Sequence, residues 1–258
     1  MSTLLFSAPI FGPVKSRRLG LSLGINLLPA DGKLCNFDCL YCECGLNGEK
    51  RPKSKMPTRE DVARELEATL KRMHEANERP DTLTFAGNGE PTLHPDFAGI
   101  IEDTVALRDR YAPKAKISVL TNATRLLKPD VYDALMKVEN PLLKLDTIDT
   151  DYIHLIDRPT GRYDLPALID KMKAMGSHAI IQTMFLKGEV NGVDVDNTGD
   201  AFVTPWLEVV KAIGPKLVTI YTIDRETPEK GLQKAGKAEL DRIAERLREA
   251  GLETTVSY

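Results

Sequence analysis

Apolar residues recur along the chain at two periods, and the alternation between them outlines a fold. An apolar, alternating run over residues 21–28 reads as a first strand. Over 58–78 the spacing turns helical: Val62, Leu66, Leu70 and Met73 share one face, behind a Thr58 N-cap with Asp61 three residues on. A strand over 82–86 follows, then a helix from near Pro95 with Phe97, Ile101 and Val105 inward, and a strand over 116–120. Pro129 suits the first turn of the next helix, striped by Val131, Leu135 and Val138, and a fourth strand covers 142–145.

The second half repeats the scheme. Leu165, Leu168, Met172 and Met175 form a helix stopped by Gly176, and 179–186 is a largely apolar strand. Thr204-Pro205-Trp206 starts a helix with Val209, Val210 and Ile213 inward, stopped by Gly214-Pro215. A sixth strand covers 217–223, a sixth helix 237–250 with Leu240, Ile243 and Leu247 buried, and 253–257 reads as one last strand. Strict alternation implies an α/β fold, a parallel sheet with helices outside. Six units are two fewer than a closed eight-unit barrel has, so the barrel is expected to be open. The chain has 258 residues, a size that one α/β barrel domain reaches, and nothing in it resembles a linker or a repeat. One domain over 1–258 is expected.

Composition narrows the function. A net charge of −3 gives no bulk basic field, so a nucleic-acid partner would need a local patch and is not favoured. No apolar run is long enough for a membrane span. The N-terminal segment puts its basic residues after its apolar part, unlike a signal peptide, so a cytoplasmic location is expected. Arg17 and Arg18 read as solvated charges, the alternative being an anion site at the barrel mouth.

All four cysteines lie between Cys35 and Cys44, in CNFDCLYCEC, directly after the first strand. There α/β barrels carry their chemistry. Buried thiols packed as small hydrophobes do not explain such clustering, and a disulfide framework belongs to small secreted domains. Cys35, Cys39 and Cys42 are spaced so that three thiolates of one loop converge on one inorganic centre. Thiolate-only loops suit iron–sulfur clusters, whereas a structural zinc site needs a fourth ligand, here Cys44. Otherwise Cys44 reads as a bystander, with substrate contact or substitution as a ligand as alternatives.

Cys-x3-Cys-x2-Cys with Tyr41 before the third cysteine resembles the signature of the radical S-adenosylmethionine (radical SAM) superfamily. The resemblance implies a partial (βα)6 TIM-like barrel. It implies that Cys35, Cys39 and Cys42 bind three irons of one [4Fe-4S] cluster, that the amino and carboxylate groups of SAM occupy the fourth iron, and that Tyr41 lies near the cofactor. Residues 87–92, Gly-Asn-Gly-Glu-Pro-Thr, are similar to the Gly-Gly-Glu-Pro segment that binds the SAM amino group, with Asn88 where the first glycine normally stands, followed by Gly89 and Glu90. As residues alone they are a turn in which two glycines allow close backbone approach and Pro91 removes a donor. Thr121-Asn122-Ala123 is similar to a Thr-Asn-Gly segment, making Asn122 a candidate contact to the SAM ribose or carboxylate. Asn also ends strands for purely local reasons. Asp146 and Gln182, at the next strand ends, are further candidate SAM contacts, and Thr183, Thr222, Asp224 and Arg225 are candidates for SAM or substrate contacts on the same reasoning. His94, in Thr-Leu-His-Pro, reads as structural.

Asp157-Arg158-Pro159, the stretch over 221–228 and the early Ser-Arg-Arg-Leu-Gly look like a subgroup related to the wybutosine-synthesis enzymes acting on tRNA. Those enzymes carry cysteines for a second cluster, and here only Cys44 is left over. The implied chemistry is reductive cleavage of SAM to a 5′-deoxyadenosyl radical that abstracts hydrogen from an unidentified substrate. An external flavodoxin- or ferredoxin-type donor supplies the electron, and no side chain serves as general acid or base. A tRNA-modifying enzyme and a glycyl-radical-enzyme activase are the alternatives.

Overall fold

The computed structural model describes residues 4–16, 20–49 and 51–258; Arg17 and Arg18 lie outside them. Its centre is an eight-stranded, curled half-barrel sheet in the order β1-β2-β3-β4-β5-β6-β9-β11. After the antiparallel β1 (Ile10–Ser16) and β2 (Gly20–Ile25) come β3 (Thr82–Phe85), β4 (Lys116–Thr121), β5 (Asn140–Lys144), β6 (Ile180–Met184), β9 (Leu217–Tyr221) and β11 (Thr254–Ser257), every neighbouring pair from β2 onward parallel. The main crossover helices are α1 (Arg59–Glu75), α2 (Phe97–Tyr111), α3 (Pro129–Leu135), α5 (Leu165–Met175), α6 (Asp200–Ile213) and α7 (Lys237–Glu249). A short α4 (Thr150–Tyr152) runs into a π-turn over Ile153–Asp157. The six expected strand–helix units are all present, and the sheet stays open because β1 and β11 are both edges.

Sequence chemistry places each helix. Thr58 caps α1 by accepting from the Asp61 amide while Asp61 reaches back to Thr58, and Val62, Leu66, Leu70 and Met73 all turn inward. Asn77, in the left-handed region at φ 57°, lies just past the end of α1, three residues earlier than the periodicity suggested. These faces join the outward side of the sheet in one core that includes Leu23, Leu83, Phe85, Ile117, Leu143, Ile181, Trp206 and Ile220.

Inside the barrel the lower layer is polar. Ser22, Thr84, Thr82, Ser118 and Asn140 form a buried hydrogen-bonded chain across β2 to β5. Buried hydroxyls that partner one another avoid the penalty of lone polar groups.

Four details depart from the pattern reading. The strand expected over 21–28 ends at Ile25 and pairs with β1, which was not anticipated because Gly12-Pro13 interrupts it at a shift in register. The strand expected over 179–186 ends at Met184; Leu186 opens β7 (Leu186–Val190), which with β8 (Val193–Asp194) and β10 (Leu232–Lys234) forms a separate antiparallel sheet. Helix α6 begins at Asp200, with Pro205 in its second turn. So near the N-terminus, the missing proline N–H costs one helical hydrogen bond. The sixth strand stops at Tyr221, two residues early.

Candidate active site

The cysteine loop lies at the carboxyl end of β2 and is stitched on two sides by main-chain bonds. On one side Leu34 pairs with Gly89: the Leu34 N–H donates to the Asn88 carbonyl (2.9 Å) and the Glu90 N–H to the Leu34 carbonyl (3.1 Å). On the other side the Asp38 N–H donates to the Asp157 carbonyl (3.0 Å), the Leu40 N–H to Ile156 (2.9 Å), and the Thr160 N–H to Asn36 (2.9 Å). Gly89 is at φ +133°, and a Cβ there would fall 1.9 Å from the Leu34 carbonyl oxygen. The close approach that two glycines suggested in sequence is therefore made by the cysteine loop itself.

Cys35, Cys39, Cys42 and Cys44 are all free thiols, partly buried. Burial, with Glu90 adding to it, pushes the Cys35 thiol up to about 12. Burial also lifts Cys39 well above the ordinary thiol range. Cys42 goes the other way: the neighbouring Cys44 thiol and then the Lys33 ammonium favour its thiolate and lower it, while Cys44 is raised. The Cys44 S–H donates to the Gly87 carbonyl, sulfur to oxygen 3.3 Å. Among the described residues no three Cys, His, Asp or Glu side chains already converge closely enough to share a single metal ion.

The neighbouring strand ends bring the other expected residues around this loop. Glu90 is buried and ties the ends of β3 and β4 together. Its carboxylate accepts from the Thr92 amide (3.1 Å), the Thr121 hydroxyl (2.7 Å) and the Asn122 amide (2.7 Å). Burial is the larger effect and leaves its pKa raised. Asn122 donates to Asn36 Oδ1 (2.8 Å) and faces the Cys35 sulfur at 3.7 Å. The Asn88 side chain is fully buried, with Nδ2 donating to the carbonyls of Phe6 and Pro29 (2.9 and 2.8 Å) and Oδ1 accepting from the Phe6 amide (2.8 Å). Its amide group is thus taken up by the fold.

Tyr41 and Asp146 meet each other. The Tyr41 hydroxyl donates to Asp146 and to Asp157 Oδ1 (3.1 Å), and the Lys144 ammonium contacts Tyr41, Asp146 and Asp157, 4.7 Å from the centre of the Tyr41 ring. Burial works against charging Lys144, but the two carboxylates outweigh it and raise its pKa. Burial, with Asp146 adding to it, lifts Asp157 to about 6. Gln182 lines a cavity of about 290 Å³ together with Tyr41, Cys42, Cys44, Met184 and Tyr221. Arg225 bridges the mouth of that cavity to Glu43 at 2.6 Å.

The lesser candidates separate. Thr183 is buried and donates to the Leu145 carbonyl (2.9 Å), whereas Thr222, which accepts from the Ala235 amide (2.8 Å), lines the cavity with Gln182. Asp224 lines the cavity, 3.9 Å from Lys234. Arg158 is exposed in the left-handed region and lies outside the cavity. His94 bonds the Pro57 carbonyl (2.8 Å) and accepts from the Asp96 amide (3.1 Å), a structural role.

Sequence reading missed Lys33 and Lys144. Lys144 ends β5 and Asp146 follows it by two, a spacing that extended backbone places on one side, a signal present but unused.

The Radical SAM superfamily profile matches residues 31–196, from the turn before the cysteine loop to the end of the β6–β8 region. The chain belongs to the radical SAM superfamily. With the UPF0026 protein slr1464 of Synechocystis sp. it is 30% identical over 233 residues, covering 87% of this chain and 78% of that one, and it belongs to the same UPF0026 family. With the UPF0026 protein MJ1312 of Methanocaldococcus jannaschii it is 33% identical over 181 residues, 68% of this chain; it spans about half of that protein's length, 53%. Among solved structures it resembles a radical SAM methyltransferase from Sphaerobacter thermophilus, with TM-score 0.66 and 16% identity over 92% of this chain and 66% of that one. That likeness is one of fold and corresponds to the open parallel barrel expected from the alternating pattern. Among the described residues no helix is long and apolar enough to cross a membrane.

Proposed function

We propose that this radical SAM protein binds one [4Fe-4S] cluster through Cys35, Cys39 and Cys42 and uses it to cleave SAM reductively, acting on a substrate held in the barrel. The observation that carries the reading is the placement of the cysteine loop at the carboxyl ends of the parallel strands, pinned between the 87–90 and 156–160 segments and facing the cavity lined by Gln182. The donor set fits: three thiols of one loop, with a buried ammonium at hand to offset their charge. When bound, the cluster and SAM supply a 5′-deoxyadenosyl radical able to take hydrogen from an unactivated carbon.

The chain's own residues bind, orient and exclude water. The main chain of 87–90, seated against Leu34 and backed by Glu90, would frame the SAM amino group. Asn122, whose Nδ2 donates to Asn36 and whose Oδ1 accepts from the Thr124 amide (3.1 Å), would exchange one of these bonds for the ribose or carboxylate. Tyr41 and Asp146, fixed by Lys144 and Asp157, form one wall, and Gln182 presents an amide to the lumen. No general acid or base is assigned. Electrons come from an external low-potential donor of flavodoxin or ferredoxin type, in a reducing compartment, the cytoplasm, and residues 1–258 act as one domain.

Single-cysteine variants test the ligand set. After anaerobic reconstitution, Cys35→Ala, Cys39→Ala and Cys42→Ala should each lose most of their iron and sulfide, while Cys44→Ala retains four irons. A Cys44→Ala chain that loses its cluster while Cys42→Ala keeps it contradicts the assignment.

A further inference from the structure

Lys33, two residues before Cys35, is a buried cation beside the cysteine loop. Its side chain is 1% exposed. Its ammonium donates to the Gly45 carbonyl (2.8 Å) and lies 3.5 Å from Asp38 Oδ1. The Gly45 N–H in turn donates to the Cys42 carbonyl (2.9 Å), so the loop from Cys35 to Gly45 closes around the ammonium. Burying an ammonium costs several kcal/mol unless it is compensated. The carboxylate at hand is weakly placed: Asp38 is 18% exposed and its Oδ1 also accepts from the Asn47 amide at 2.7 Å. The better compensation is a set of thiolates.

We propose that Lys33 is a positioning residue for the cluster, its ammonium held inside the cysteine loop on the Gly45 carbonyl so that the added electron of the reduced cluster is electrostatically offset. The inference rests on the cluster reading of the preceding subsection. Three thiolates and an iron–sulfur core carry net negative charge, and one-electron reduction adds another unit in a site of low effective dielectric, where a cation a few ångströms away weighs heavily. Net charge and hydrogen bonds to sulfur are among the determinants of a cluster's potential. The electron comes from an external reductant, and no proton has to leave or reach Lys33.

The test is a redox titration of the full chain, reconstituted anaerobically and followed by EPR, with dithionite as reductant and no SAM. Lys33→Met keeps the length of the stem and removes the charge. It should lower the ratio of reduced to oxidised cluster at a fixed poise about tenfold or more, equivalent to a midpoint about 59 mV more negative for one electron. Asp38→Asn removes the competing anion and should move the midpoint the other way. A purely structural role for Lys33 would reduce iron content and leave the midpoint of the loaded fraction in place, and that result overturns the proposal. Should Lys33→Met retain no iron, Asp38→Asn decides: a more positive midpoint supports the proposal and an unchanged one overturns it. A wild-type chain that takes up no iron overturns the cluster reading itself, a different failure from a loaded cluster indifferent to both substitutions.

Discussion

At the scale of single residues the site depends on contacts that tolerate no added atom. Gly89 is held at φ +133° with the Leu34 carbonyl where a side chain would begin, so Gly89→Ala has to break the Leu34–Gly89 pairing that seats the cysteine loop. A strained backbone position of this kind costs about 1–3 kcal/mol. Urea denaturation should show a loss of at least that size for Gly89→Ala and almost none for Gly48→Ala, where nothing lies within 4 Å. Equal midpoints for the two would contradict the stitching role of the 87–90 segment. The Lys144, Asp146, Asp157 and Tyr41 group makes a second prediction. Lys144→Met leaves two buried carboxylates without their cation, a loss of about 3–5 kcal/mol. Adding Asp157→Asn should recover part of it, since one of the stranded charges is then gone. A double variant no more stable than Lys144→Met would contradict the pairing.

Much of this residue-level picture was out of reach of the sequence for a physical reason. Spacing along one segment singled out the three cysteines, since residues of one loop are neighbours in sequence. Partners that meet across strands, such as Tyr41 with Asp146, are 105 residues apart, and nothing local announces them. Asn88 is the sharpest case. The motif points to its backbone, and nothing local announces that its side-chain amide is spent on Phe6 and Pro29.

At the scale of elements, the helices were the more legible part, because a buried stripe repeats several times within each helix and because Thr58 and Asp61 announce the start of α1. Strand ends were less so. The run over 179–186 is apolar throughout, yet its last residue leaves the barrel for the β7, β8 and β10 sheet, which shares a small core with Leu40 of the cysteine loop. Hydrophobicity alone cannot say which of two cores a residue joins. One inter-element link has a pH signature. Arg108, near the end of α2, bonds Glu139 just before β5 (2.9 Å), whose other oxygen accepts from the Ile117 amide of β4 (2.8 Å). Burial opposes ionisation of Glu139, but these two contacts prevail and hold its carboxyl below the ordinary range. A depressed folded-state value means that the stabilisation is present above the unfolded carboxylate pKa and disappears as pH falls through the folded one. The drop in the urea midpoint between pH 7 and pH 3 should therefore be smaller in Glu139→Gln than in the parent chain. An identical drop in both would show that this link contributes no pH dependence. The carboxylate is 40% exposed, so solvent and salt weaken the effect.

At the scale of the whole molecule, six strand–helix units bring residues from every quarter of the sequence to one rim. The cysteine loop follows β2, the Gly89 and Glu90 segment β3, Asn122 β4, Asp146 β5, and Gln182 belongs to β6. This convergence is what alternation predicted and what the Radical SAM profile over 31–196 supports. The central claim is that this rim, once loaded, cleaves SAM. The direct measurement is on the anaerobically reconstituted full chain, reduced with dithionite in the presence of SAM. Chromatography should detect 5′-deoxyadenosine and methionine in equal amounts, and SAM should change the EPR signal of the reduced cluster. A loaded cluster that yields no 5′-deoxyadenosine, with an EPR signal indifferent to SAM, would contradict it.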